Sequence, residues 1–255
     1  MGAAARVLLE AVDGGLCNRT IFREPIKGVE LIGRCRKDAR LCLPAPAGSR
    51  RKYAGERFTP KSVHQDAAAA WSEARIHFGG ALRAIRYKEV SGVLWRRGAG
   101  TRPLRLFVIA PVPYRLSPHA RVNYREPAYL LTTELTLSAE AILQCYFDRW
   151  QIEVNHRDEK QILGVGQAQV WSEKSVPRQP AFVVAAYSLL LLAGLQAFGP
   201  GRTEDYVDLP KWRRNAKRAS ALDLLTLLRK EINEASVCDV THPKMPRNMV
   251  VHAYT

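Results

Sequence analysis

The alternation and clustering of apolar positions divide this chain into an α/β opening, a β-rich middle and a helical end. Residues 7–12 form a short apolar run that predicts a buried strand, 18–24 a short helix or turn, and 29–36 a second strand. The pattern then loosens. Residues 43–60 contain PAPAGSRRKYAGERFTP, rich in Pro, Gly and basic residues, which predicts a mobile surface loop. Residues 67–78 are compatible with a helix, and 82–87, 90–96 and 104–111 read as successive strands, with Gly98 to Gly100 as a turn.

The second half changes period. After a strand-like PAYLLTTEL, residues 138–161 read SAEAILQCYFDRWQIEVNHRDEKQ and predict one continuous helix. Leu143, Phe147, Trp150 and Val154 make an apolar stripe on it. At about 100° per residue, Tyr146, Arg149, Glu153 and Lys160 fall within an arc of roughly 60°, with Arg157 beside them. One face then carries a carboxylate among cations and a phenol. The apolar run 181–198, AFVVAAYSLLLLAGLQAF, is short for a bilayer span and interrupted by Tyr187, Ser188 and Gln196, so a core helix is expected. Ser220 with Asp223 three residues on has the form of a capping box before a last amphipathic helix to about residue 234. Gly164-Val-Gly166 reads as a helix C-cap and turn.

The spacing Tyr-x2-Arg-x3-Glu-x6-Lys resembles the signature of insertion-sequence DDE transposases of the IS-four group. Upstream, VLLEAVDGGLCNRTIF followed by VELIGRCRKDARL looks like the family's strand that delivers its second catalytic aspartate, here Asp13. The resemblance implies an α/β fold: a ribonuclease-H-like catalytic core, incomplete at its N-terminus, with an inserted β-rich subdomain. Residues 1–42 and 126–236 would form the two parts of that core, 43–125 the inserted subdomain and linker, and 237–255 a C-terminal tail. It implies Asp13 and Glu153 as catalytic residues and ligands of a two-ion Mg²⁺ (or Mn²⁺) site, hard ions that take carboxylate oxygen. Tyr146, Arg149, Arg157 and Lys160 would grip DNA backbone, with Trp150 packing beside the site or stacking on a base. The implied partner is double-stranded DNA, both transposon ends and target, bound by a homodimer in a synaptic complex. The family's first aspartate lies well upstream of its second, and only twelve residues precede Asp13. The chain is therefore expected to be a C-terminal part of such a transposase, inactive in isolation. The alternative is a DNA-binding remnant or repurposed module that holds DNA without cutting it.

Each residue also has a plainer role open to it. Glu153 could pair with Arg149 or Arg157 at i±4, Asp13 could simply form the Gly-Gly turn, and Glu134 is assigned no metal role.

Charge agrees with an anionic partner. The net charge is +15 over 255 residues, with basic clusters at Arg34, Arg36, Lys37 and Arg40, at Arg50, Arg51 and Lys52, and at Arg213, Arg214, Lys217 and Arg218. The five cysteines have no metal-binding spacing, and the opening MGAAARVLLE does not resemble a secretory leader. A reducing, nucleoid-associated bacterial cytoplasm is the expected location, with no membrane partner; a membrane anchor through 181–198 is the weaker alternative. P-loop, GxSxG, HExxH and dinucleotide motifs are lacking.

Overall fold

The structure, a computed structural model, describes residues 7–24, 26–78, 81–115, 117, 120–209, 216 and 218–238. Arg213, Arg214, Lys217 and nearly all of the expected tail lie outside the described residues. The fold is α/β, and the chain divides into two compact units, residues 1–150 and 151–255.

The first unit is built on one six-stranded mixed sheet. Its elements in chain order are β1 (Leu8–Val12), α1 (Arg19–Phe22), β2 (Val29–Arg34), α2 (Pro60–Gln65), β3 (Ser72–Phe78), β4 (Ala81–Leu94), β5 (Pro103–Ile109), a small ribbon of β6 (Pro113–Tyr114) and β7 (Asn123–Tyr124), β8 (Ala128–Thr132) and α3 (Ala139–Asp148). The strand order is β1-β2-β8-β5-β4-β3; β1 and β2 run parallel, and every other neighbour is antiparallel. The segment 72–109 thus continues the sheet of β1, β2 and β8. Central strand β5 is apolar on both faces, as a strand covered on both sides must be. Leu104, Leu106 and Val108 enter one core with Phe22, Leu31 and Leu131, while Phe107 and Ile109 enter another with Ile32, Leu130, Ile142 and Leu143.

Helix α3 serves both edges of this sheet. Toward β3, the Arg75 N–H donates to Glu140 Oε1 (3.0 Å) and the His77 N–H to Gln144 Oε1 (2.7 Å). Toward β1, the Cys145 thiol reaches the Leu9 carbonyl (3.8 Å). Five inter-strand steps of about 4.8 Å would hold the edges of a flat sheet some ~24 Å apart, more than a helix about 10 Å across can bridge. The sheet is therefore curled, with α3 closing the gap.

Four sequence expectations for residues 43–161 are corrected. Residues 67–78 do not form a helix: 72–78 is strand β3, whose Ala74 and Ile76 are buried while Glu73 and Arg75 are exposed, a period of two dictated by pairing with β4. The strands expected at 82–87 and 90–96 are one strand, β4, whose register shifts between Val90 and Val93. Gly92, at φ 71°, supplies the extra residue, so Val90 and Val93 meet the same core. The segment 43–60 is not a loose loop. Leu41 and Phe58 exchange backbone hydrogen bonds (2.9 Å each), and Cys42 and Leu94 do the same (3.1 and 2.8 Å), pinning a hairpin to the end of β4. Finally, the helix expected over 138–161 is broken. α3 ends at Asp148, the Trp150 N–H donates to Phe147 O in a tightened turn (3.2 Å), and a new helix starts at Gln151.

The second unit holds α4 (Gln151–Gln161), α5 (Ser175–Phe198) and α6 (Ala221–Cys238). Gly164, at φ 71°, closes α4 as expected. The capping box opening α6 is formed: Ser220 N–H donates to Asp223 Oδ2 (2.8 Å) and Asp223 N–H to Ser220 Oγ (3.2 Å). The expectation that 181–198 is a core helix is corrected. Only Tyr187 and Gly194 of α5 are buried, and Phe182, Leu189, Leu192 and Leu195 are exposed. Gly194 meets Leu224 of α6, where a Cβ would come within 2.4 Å of a Leu224 methyl. This is the one described helix long and apolar enough to cross a membrane.

Candidate functional site

Asp13 follows the last residue of β1, where Val12 pairs with Gly33 of the parallel strand β2. The parallel register therefore sets Asp13 beside Arg34, the last residue of β2. The turn is tight: Gly14 N–H donates to Asp13 Oδ1 (2.7 Å), and Leu16 and Cys17 N–H donate to the Asp13 carbonyl (2.9 and 3.2 Å). Asp13 is thus a turn former, yet its side chain remains exposed. The turn packs closely on β2, because a Cβ at Gly33 would lie 2.9 Å from Cys17 Cβ and from the Phe22 ring. Burial there pushes the Cys17 thiol up to about 12.

Tyr146, two residues before the end of α3, joins this group. Its phenol is raised above the ordinary tyrosine range, first by burial; the charges of Arg34 and Arg149 pull it down and that of Asp13 pushes it up. Within the first unit, then, the fold brings Asp13, Tyr146, Arg149 and Arg34 into one electrostatic neighbourhood. Arg34 in turn lines a groove of about 550 Å³ with Arg36, Lys37, Lys61 and His64. Sequence reading counted Arg34 only as part of a basic run. The signal that could have found its place beside Asp13 is the common offset of both residues, each five positions past the first residue of its strand.

Trp150 is 48% exposed, so part of the indole faces solvent. The apolar stripe is buried only at Leu143.

Glu153, Arg157 and Lys160 lie on α4, in the second unit. Glu153 is exposed in the first turn. The plain i+4 pair with Arg157 is not made: that guanidinium instead sends Nε and Nη2 to Asp158 Oδ1 (3.0 and 2.8 Å). Among the described residues Glu153 has no ion pair. Asp158 and Glu159, by contrast, are buried and partnered, Glu159 by His156 Nδ1 (3.2 Å). Tyr187 of α5 donates to Asn155 Oδ1 (3.3 Å), and its phenol is raised by burial first and then by the Asp158 and Glu159 charges. Sequence reading missed this buried acidic pair, whose interior position nothing in the local pattern signals.

Asp13 and Glu153 are open carboxylates, the donor chemistry that Mg²⁺ or Mn²⁺ takes. Among the described residues no group of three or more His, Cys, Asp or Glu is gathered in metal-binding proximity. Glu134 plays a structural part. Its Oε1 accepts from Thr136 N–H (2.6 Å), Thr136 Oγ1 (2.6 Å) and Leu137 N–H (3.0 Å), shaping the turn into α3.

Comparison with protein-family models returned no match, and comparison with curated proteins returned none either.

Proposed function

We propose that this chain acts on double-stranded DNA as part of a DDE-type transposase with a ribonuclease-H-like core, 43–125 being that core's β-rich insertion. The observation that carries this reading is the grouping of an exposed carboxylate, Asp13, and Arg34 at the ends of two parallel strands with Tyr146 and Arg149 from the end of α3. A phosphodiester brought to such a group meets cations for its charge and a phenol for a hydrogen bond, next to a carboxylate.

In this reading Asp13 and Glu153 hold the divalent ions, whose chemistry when bound is to activate the attacking oxygen and stabilise the leaving one. Arg149, Arg157 and Lys160 bind backbone phosphates, Tyr146 orients the strand, and the exposed Trp150 stacks on an unpaired base. Two such chains would bridge a pair of DNA ends in a synaptic complex within a bacterial nucleoid. A second reading, DNA holding without cleavage, is favoured by the basic groove that Arg34 lines, which needs neither carboxylate to act.

The test is nicking and strand transfer on a labelled duplex with Mg²⁺ or Mn²⁺, beside Asp13→Asn and Glu153→Gln. Metal-dependent cleavage lost in both variants, with DNA binding retained, supports the transposase reading. Binding without cleavage leaves the holding reading, and no DNA binding overturns both.

A further inference from the structure

The hairpin 41–58 and the β4–β5 turn form a second groove, of about 660 Å³, which shares no lining residue with the groove at Arg34. Arg40, Arg51, Lys52, Arg57, Arg96 and Arg97 line it together with Tyr53, and no carboxylate does. The walls are held by backbone geometry. Pro44 bridges to Tyr53, Cys42 to Leu94, and the Trp95 carbonyl accepts the N–H groups of Gly98, Ala99 and Gly100 (3.0, 2.7 and 3.1 Å). Arg96 lies over the Tyr53 ring, 5.6 Å from its centroid, which fixes one cation in the wall.

What sets this groove apart is convergence: six cations line it with no carboxylate among them, whereas the groove at Arg34 includes Glu126, and several cations elsewhere sit against an acid. Arg36 is matched by Asp38, Arg102 by Glu30, Arg105 by Glu89 and Arg157 by Asp158. Among the described residues none of the six groove cations has an ion pair. Like charges held close together repel, so the fold tolerates this convergence at a cost that a bound polyanion would remove.

We infer that this groove is a nucleic-acid backbone site, taking successive phosphates of a DNA strand. A single phosphate would engage two or three of the six cations, whereas a run of phosphates along one strand can engage them all. The inference rests on the DNA partner of the reading above but not on strand cleavage, and it makes the hairpin 41–58 a working part of the protein.

The experiment is salt-dependent binding of a fluorescent duplex by the full chain, comparing wild type, Arg51→Ala/Lys52→Ala/Arg96→Ala/Arg97→Ala, and the control Arg23→Ala/Lys27→Ala. Each lost phosphate contact lowers the slope of log K against log salt by about 0.9. The groove variant is expected to lose about two to four in slope and at least about tenfold in affinity, with the control unchanged. A loss in the control half as large as that in the groove variant, in proportion to the two and four charges removed, overturns the site, since only net charge would then matter. In the wild-type chain, DNA should protect Lys52 from an amine-reactive reagent while Lys27 stays reactive; equal labelling of Lys52 with and without DNA overturns it even if the variant misfolds. Protection by inorganic phosphate as strong as by DNA would mean a single-anion site and overturn the strand assignment. Loss of cleavage in Asp13→Asn with Lys52 protection intact separates this inference from the catalytic one.

Discussion

The side-chain amide of Gln144 pairs in both directions with the backbone of His77. The His77 N–H donates to Oε1 (2.7 Å), and Nε2 donates to the His77 carbonyl (3.1 Å). A glutamine thereby does for the edge strand β3 what a neighbouring strand would do, and one turn earlier Glu140 repeats half of the pattern on Arg75. Unpaired edges are where sheets aggregate; here the helix that carries Tyr146 also seals the edge.

Gln144→Ala should therefore cost about 1 kcal/mol, because the freed groups are exposed and water can replace the amide. Urea denaturation measures this, and Glu140→Ala/Gln144→Ala should also raise the tendency to aggregate. Unchanged stability and solubility in the double variant would remove the edge-sealing role.

Lys88 is buried, and its ammonium donates to the carbonyls of Val63 (3.2 Å), His64 (3.3 Å) and Asp66 (2.6 Å) at the C-terminus of α2 while lying 4.6 Å from the Trp71 ring centroid. Lys88→Met keeps the stem and removes the donors. It should cost about 2–3 kcal/mol, with hydrogen exchange accelerated first in residues 60–66. Uniform acceleration across the sheet instead would show that the lysine does not act through α2.

Gly33→Ala should be destabilising by about 1–3 kcal/mol, since the added Cβ meets Cys17 Cβ and the Phe22 ring at 2.9 Å. The turn carrying Asp13 must shift to admit it. A spectroscopic probe attached near the turn should report that movement, and a variant as stable as wild type would mean the packing is looser than these distances.

The Glu134 carboxyl is held below its ordinary value of 4.5, first by the Thr136 hydroxyl and then by backbone N–H groups and Arg105, against an opposing effect of burial. A depressed native pKa stabilises the fold above the unfolded value and ceases to do so as pH falls through the native one. The stability advantage of wild type over Glu134→Gln should accordingly be full above about pH 5.5 and shrink below 4.5. Chemical denaturation from pH 3 to pH 7 checks this, and a gap that widens on acidification would contradict it.

The strands at 8–12, 29–34, 103–109 and 128–132 were legible because each is a short apolar run bounded by turn residues. So was the Ser220–Asp223 cap, which depends on contacts three residues apart. The proximity of Asp13 to Tyr146 was not, since it depends on which strand lies parallel to β1 and where α3 docks.

What the sequence alone determined is the set of elements whose signal is local: apolar runs, turn residues, caps, and the excess of cations. The tertiary structure decided the rest. Residues 67–78 contain an alanine run favourable to helix, and pairing with β4 made 72–78 a strand, because ladder hydrogen bonds and burial of Ala74 and Ile76 outweigh a propensity of a few tenths of a kcal/mol per residue. Residues 43–60 read as loose, but Phe58 pairs back to Leu41 and the neighbouring Cys42 pairs with Leu94, about 50 positions away. Six cations far apart along the chain became one groove only when the hairpin and the β4–β5 turn met. Hydrogen-bond partners and charge neighbours are chosen by the fold, and no window of sequence contains both members of such a pair.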